Sequence, residues 1–390
     1  MKRGRSEEKS EETWVEEAPT LLVYSGGELA SKGYERVVAF DMDDTLIAIK
    51  SGKKFPTGRS DWKWVFGAPE KLRAEHARGD TKLVVFTNQL GVTKKGRDRA
   101  KEDALRGKVA DVVAELGVPV QVFMAIGEDT YRKPCTGMWD TMVAKYNCGV
   151  QPRLADCLYV GDAAGRPAGA GRKKDFSCSD RKFAFNIGVP FQTPEEYFEG
   201  AAPGAFDWEA PDLAKLEADA AKAAADAAPF VPAEGQEMVV LVGFPGCGKS
   251  TFARECLVPH GYVHVNRDTL KTPAKCLAAT EAALAGGKSV VVDNTNPSVS
   301  ARAVYVRAAA AHKVPVRCVH FDVPEDVANH LNYYRERLGT SAHVPRIAYA
   351  VFKKQYEAPT PAEGFTAVIE RPLVLKFPDE HSKRLFFQYC

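Results

Sequence analysis

The stretch GFPGCGKST (243–251) follows the apolar run EMVVLV and opens a segment of helical character. It fits the pattern G-x-x-x-x-G-K-[ST], in which glycines let backbone N–H groups wrap phosphate oxygens at the positive end of a helix. That demand fixes a strand, a tight turn and a helix in succession, and so an α/β sheet whose ligands bind beyond the carboxyl ends of the strands. Gly243, Pro245, Gly246, Cys247, Gly248, Lys249, Ser250 and Thr251 are candidate ATP contacts. Lys249 is expected to reach the β and γ phosphates and Ser250 to ligate Mg²⁺. The motif alone does not separate ATPase, GTPase, motor and kinase.

Further strand ends follow in the same half. In NRDT, Asp268 suits either a general base for an attacking hydroxyl or a helix N-cap. Asp293 and Asn294 in DNTN, with Arg302 downstream, are candidate substrate contacts, though DNTN also suits a cap. Arg335 and Arg337 in YYRERLG fall on an expected helix. They suit either a lid that neutralises charge on a transferred phosphate or a solvated helix face.

The first half raises a different question. VVAFDMDDTLIAI (37–49) ends an apolar strand with three carboxylates in four positions. Like charges that close repel, so a cation is expected among them. D-x-D-x-T at a strand end is the start of a haloacid-dehalogenase type of phosphatase site. There Asp41 is the expected nucleophile and Asp43 the acid that protonates the leaving oxygen, then activates water. Metal ligands are expected to be Asp41, the Asp43 carbonyl and a distant acid, Asp162 in YVGDAAG ahead of Asp175 and Asp180. Thr87 and Lys133 are expected to hold phosphoryl oxygens.

Strands at 37–40, 81–91, 119–126 and 156–165 alternate with helical stretches such as 100–116, the pattern of a parallel sheet covered on both faces. The chain's 390 residues divide into a disordered tail at 1–34, a phosphatase domain at 35–205, an Ala/Pro-rich linker at 206–236 and a kinase domain at 237–390. The first part of that linker has the composition of an exposed helix. Net charge is +2, so no global field draws in a polyanion. The 9 cysteines form no C-x-x-C pair, which argues against a zinc ribbon or disulfide framework. No apolar run approaches the roughly 18 residues of a membrane span, and no secretory signal opens the chain. KRGR (2–5) is weighed between an import signal and a solvated tail.

Taken together, SGKKFPTGRSDWKW, VVFTNQLG, YRKPCTGMWD, YVGDAAGRPAGAGRKKDFSCSDRKFAFNIGVPF, VGFPGCGKSTF, GYVHVNRDTLK, VVVDNTNP and HVPRIAYAVFKKQYEAPTPAEGF resemble the bifunctional polynucleotide kinase 3'-phosphatases. The phosphatase-first order is similar to the animal-type enzymes. That resemblance implies removal of 3'-phosphate from broken DNA ends, phosphorylation of 5'-hydroxyl ends by ATP with Mg²⁺, a monomer, and work in the nucleus or mitochondrion. It also implies Asp268 as general base. Two departures stand out. Asp44 occupies a position where the family usually has glycine. Only about 34 residues precede the catalytic region, too few for a ~100-residue forkhead-associated domain, so docking to phosphothreonine scaffolds by that route is not expected.

Basic groups at Lys50, Lys53 and Lys54, at Lys94, Lys95 and Arg97, and at Arg172, Lys173 and Lys174 all follow strand ends. They are expected to ring the phosphatase mouth and bind phosphates in a salt-sensitive way. Phe55, Trp62 and Trp64 are weighed between stacking on an unpaired base and core packing. Cys247, at a helix N-terminus, is weighed between a peroxide-sensitive thiol and an inert side chain. The competing functions are a metabolite kinase/phosphatase fusion, RNA-end repair and a non-catalytic scaffold. Intact Asp41, Asp43, Lys249 and Asp268 argue against the scaffold.

Overall fold

The computed structural model describes residues 13–25, 29, 31–169 and 172–390. Two compact units form, Met1–Glu209 with Gln388–Cys390, and Ala210–Phe387.

In the first unit the strands are β1 (Thr13–Ala18), β2 (Leu21–Ser25), β3 (Arg36–Phe40), β4 (Ile47–Ala48), β5 (Lys63–Trp64), β6 (Thr81–Asn88), β7 (Gln121–Ala125), β8 (Leu158–Val160) and β9 (Phe191–Gln192). Seven of them make one sheet in the order β1-β2-β7-β6-β3-β8-β9, while β4 and β5 pair as a separate hairpin. From β7 to β9 all neighbours are parallel; β1, β2 and β7 pair antiparallel. The central strands are apolar on both faces because helices cover both. Alternation then sorts the side chains. Val38, Phe40, Leu83 and Val85 pack on one side with Leu72, Val109 and Val113. Val37, Ala39, Val84 and Phe86 pack on the other with Met138, Trp139 and Phe183.

The N-terminal region departs from the expected tail. Residues 1–12 lie outside the described residues, but β1 and β2 extend the sheet, and Leu21, Leu22 and Val23 are fully buried. The physical reason is the apolar run LLVY, which gains more by covering the edge strand β7 than by remaining in water.

The second unit holds β10 (Met238–Val242), β11 (Val263–Asn266), β12 (Val290–Asp293), β13 (Val316–His320) and β14 (Ala367–Glu370). All are parallel, in the order β11-β12-β10-β13-β14. Strand β10 lies between β12 and β13, so the loop after it opens at the point where the chain order reverses, the usual ligand crevice of such a sheet. Ahead of β10, within the stretch expected to be a linker, Leu213–Asp226 is a helix, N-capped by the Asp212 carboxylate, which accepts from the Lys215 N–H at 3.0 Å.

Candidate active sites

In the first unit, Asp41 follows β3, Thr87 lies near the end of β6 and Asp162 follows β8, so adjacent strands deliver all three to one edge of the sheet. Lys133 is buried there and donates to Asp41 at 2.6 Å, to Asp180 at 2.7 Å and to the Tyr159 hydroxyl at 2.9 Å. Asp180 is delivered by the helix Ser179–Ile187, and its Oδ2 accepts from the Ala163 N–H at 3.0 Å. Such close approach needs Gly161, because a Cβ there would stand 2.5 Å from the Asp180 carboxyl.

Asp41, Asp162 and Asp180 each offer a carboxylate oxygen within 4.8 Å of the others. Against these three stands one ammonium, Lys133. Burial pushes the Asp41 carboxyl up to about 7; the Lys133 charge opposes this, and Asp180 and Asp43 add to it. Asp162 is pushed well above the ordinary range by burial and then by Asp41 and Asp180. For Lys133 burial works against the charge, yet Asp180 and Asp41 hold it above the usual lysine value. This crowding of buried carboxyls, made of oxygen donors alone, fits a hard divalent cation such as Mg²⁺, whose charge would favour their ionised form.

Asp43 stands beside this cluster, about half exposed. Its carboxylate accepts from Gln89 Nε2 at 2.6 Å and from Lys108 Nζ at 3.0 Å. Gln89 also donates to the Thr87 hydroxyl at 2.9 Å. Asp44 is exposed and has φ 57°, a left-handed conformation that glycine adopts without strain. The expected departure from glycine thus falls at a backbone position that suits glycine.

From sequence Asp162 is favoured over Asp175 and Asp180; the structure brings Asp162 and Asp180 together. Asp175 is turned instead to Arg166 and Arg172, at 2.8 and 2.7 Å. Lys108, Gln89 and Tyr159 were not foreseen. Gln89 stood in plain view two residues beyond Thr87, whereas nothing in a helical sequence marks Lys108.

The expected basic rim is thinner than the sequence suggested. Arg97 is engaged by Glu16 and Glu102, both at 2.7 Å, Arg172 by Asp175, and Lys174 by Glu209 at 2.7 Å. Trp62 and Trp64 pack against the core, but Phe55 is 70% exposed.

In the second unit, Gly243, Gly246 and Gly248 have φ of 153°, 87° and 101°, conformations closed to most side chains. Lys249 is buried and folds back to donate to the Gly243 and Phe244 carbonyls at 2.8 and 2.6 Å. Cys247 is 1% exposed, out of reach of a solvent oxidant, which favours the inert side chain. Asp293 accepts from Asn266 at 2.8 Å and pairs with His264 at 2.9 Å, with Ser250 nearby. Burial works to raise its carboxyl, but those hydrogen bonds and the Lys249 charge keep it below the ordinary value. Asp293 therefore lies beside Ser250 as a carboxylate, a more definite place than sequence gave it.

Asp268 is exposed, and the N-cap of its helix is Asn266, whose side chain accepts from the Asp268 N–H at 2.8 Å. Asn294 accepts from the Arg267 N–H at 2.9 Å. Arg335 reaches the glycine loop: a Cβ on Gly246 would lie 3.6 Å from its Nη2. Arg337 ends the same helix. Arg302 is a correction. It is fully buried and forks onto Glu363 with two bonds of 2.7 Å, while Nη1 donates to the carbonyls of Asn296, Pro297 and Glu357. With no exposed surface and its guanidinium paired to Glu363, it is withdrawn from the substrate contacts. Periodicity places such an arginine on a helix without saying that it faces inward.

Comparison with known proteins agrees with both geometries. Residues 36–198 match the family model described as Polynucleotide kinase 3 phosphatase, and residues 238–359 match an AAA domain. The bifunctional polynucleotide phosphatase/kinase of Schizosaccharomyces pombe is 37% identical over 90% of this chain and 83% of its own length. A putative bifunctional polynucleotide phosphatase/kinase of Acanthamoeba polyphaga mimivirus is 33% identical over 85% and 83%. The polynucleotide 3'-phosphatase of Arabidopsis thaliana is 38% identical over 44% of this chain and 25% of its own length. The chain thus belongs to the bifunctional polynucleotide phosphatase/kinase family, with a 3'-phosphatase unit followed by a P-loop polynucleotide kinase unit.

Proposed function

We propose that this enzyme restores broken DNA ends in the nucleus, turning 3'-phosphate and 5'-hydroxyl termini into 3'-hydroxyl and 5'-phosphate. The observation that carries the phosphatase half is the buried trio Asp41, Asp162 and Asp180 around Lys133, with Asp43 beside it. Asp41 attacks phosphorus, and the phosphorus–3'-oxygen bond breaks. Asp43 gives its proton to the departing oxygen, then takes one from the water that cleaves the aspartyl-phosphate and frees inorganic phosphate. Lys108 and Gln89 fix the Asp43 carboxyl for both steps. Lys133 and Thr87 steady the phosphoryl oxygens. Asp41, the Asp43 carbonyl, Asp162 and Asp180 would hold Mg²⁺, which when bound would supply the charge screening that lets an anion approach an anion.

In the kinase half, Lys249 leaves the loop carbonyls for the ATP phosphates, and the N–H groups of the glycine loop bind their oxygens. Ser250 and Asp293 are the residues that would hold Mg²⁺ there. Asp268 accepts the proton of the 5'-hydroxyl, and Arg335 and Arg337 offset charge on the transferred group. Lys50, Lys53, Lys54, Lys94 and Lys95 bind strand phosphates.

The test is a single turnover of an oligodeoxynucleotide bearing radiolabelled 3'-phosphate, quenched in acid. Label is expected on the protein transiently in wild type and not at all in Asp41→Asn. An Asp41→Asn enzyme that turns over normally would remove Asp41 as nucleophile. The same oligonucleotide ending in a ribonucleotide is expected to react with lower kcat/KM; a preference for it would favour RNA ends.

A further inference from the structure

The hairpin β4–β5 follows directly from Asp41–Thr45, and its loop, residues 50–60, is exposed throughout. Its shape is set from within by Asp61, whose carboxylate accepts from the N–H and hydroxyl of both Ser51 and Thr57 at 2.7–2.8 Å. The strand β5 end of the hairpin is held by Trp62 and Trp64 against the core and by Trp64 Nε1 on Glu115 at 2.8 Å, whereas the loop itself is tied down by Arg59. Arg59 forks onto Asp111, with Nε and Nη2 at 2.6 and 2.5 Å from the two carboxylate oxygens. Asp111 lies in the helix Arg99–Leu116, which also carries Lys108, the partner of Asp43.

One residue of that helix breaks a local rule. Gly107 sits in its interior, where glycine is disfavoured. The Arg59 side chain runs across it: a Cβ at position 107 would come within 2.8 Å of Arg59 Cδ, Nε and Nη1. Gly107 and Asp111 are four residues apart and share a helix face. The missing side chain of one and the carboxylate of the other together make a seat shaped for a guanidinium. The turn that holds the flap also presents Lys108 to Asp43.

We propose that Arg59, Gly107 and Asp111 form a latch that holds the basic loop carrying Lys50, Lys53 and Lys54 against the helix that presents Lys108 to Asp43, making all three positioning residues for polynucleotide 3'-ends. This rests on the reading of the first unit as a polynucleotide phosphatase. The Arg59–Asp111 pair is partly exposed, at 55% and 38%.

The experiment compares wild type, Arg59→Ala, Asp111→Asn, Gly107→Ala and Arg59→Ala/Gly107→Ala on a 3'-phosphorylated oligonucleotide and on p-nitrophenyl phosphate. Tryptic cleavage after Lys53 and Lys54 is followed in parallel. Each single variant is expected to raise KM for the oligonucleotide about fivefold or more, leave kcat and p-nitrophenyl phosphate turnover unchanged, and speed cleavage of the flap. The double variant is expected to match Arg59→Ala, because alanine at 107 harms only by displacing Arg59. Wild-type KM in Arg59→Ala, or losses that multiply in the double variant, would overturn the latch. A wild type that hydrolyses p-nitrophenyl phosphate but ignores the oligonucleotide would overturn the polynucleotide reading instead; unchanged flap cleavage across the variants would then refute the latch separately.

Discussion

Arg302 gives the sharpest contrast between a structural and a substrate-binding arginine. Its guanidinium makes two bonds to Glu363 and three to backbone carbonyls, with no exposed surface. Arg302→Gln keeps much of the volume but cannot satisfy the Glu363 carboxylate, which is only 6% exposed. Removing one partner of a buried ion pair costs about 3–5 kcal/mol because the other charge is left stranded. For a unit the size of Ala210–Phe387 that amounts to a fall of roughly 10 °C in Tm. Calorimetry on the whole enzyme is expected to show the transition of the second unit moving down, with 5'-kinase activity lost in step and 3'-phosphatase activity retained. An unchanged Tm with a raised KM for 5'-hydroxyl ends would refute the reasoning and return Arg302 to the substrate site.

Other perturbations have equally definite outcomes. Asp44→Gly relieves a left-handed residue at φ 57°, so urea unfolding of the first unit is expected to show a gain of about 0.5–1 kcal/mol with phosphatase turnover unchanged. Glu102, fully buried among Arg97, Arg99 and Arg106, has its carboxyl lowered to about 2 from 4.5, first by the Arg97 hydrogen bond. A carboxyl depressed in the folded state stabilises above its unfolded value and loses that contribution as pH falls. Glu102→Gln is therefore expected to cost about 2 kcal/mol at pH 7, after allowing for the partly exposed arginines, and to flatten the decline in stability between about pH 4.5 and 2. A variant with the wild-type acid profile would show that the cluster does not act through charge. Mg²⁺ is expected to raise the Tm of the first unit in wild type and much less in Asp180→Asn; an equal rise would remove Asp180 from the metal site.

Much of this was legible because the decisive signals are local. GFPGCGKST specifies strand, turn and helix within a few residues, and the acidic cluster after VVAF places Asp41 at a strand end. Apolar strands at 37–40 and 238–242 need no tertiary context to be seen, since burial on both faces leaves continuous runs. What escaped depends on contacts between distant segments. Strands β1 and β2 were hidden by the charged residues before them. Asp180 reads as one acid among several until Gly161 allows it close to Asp162 and Lys133. Arg97 and Arg302 look alike in sequence to arginines that bind phosphate, and only the positions of Glu16, Glu102 and Glu363 show that they are spoken for.

The presence of two independent phosphoryl-transfer sites that act on one kind of broken end is open to a single experiment. Its most direct test is a nicked DNA duplex with 3'-phosphate and 5'-hydroxyl at the nick, incubated with ATP, Mg²⁺ and wild type, Asp41→Asn or Lys249→Ala. Wild type should convert both ends, Asp41→Asn should fail only to remove phosphate, and Lys249→Ala should fail only to add it. Both ends left untouched by wild type, or either variant losing both activities, would contradict the account.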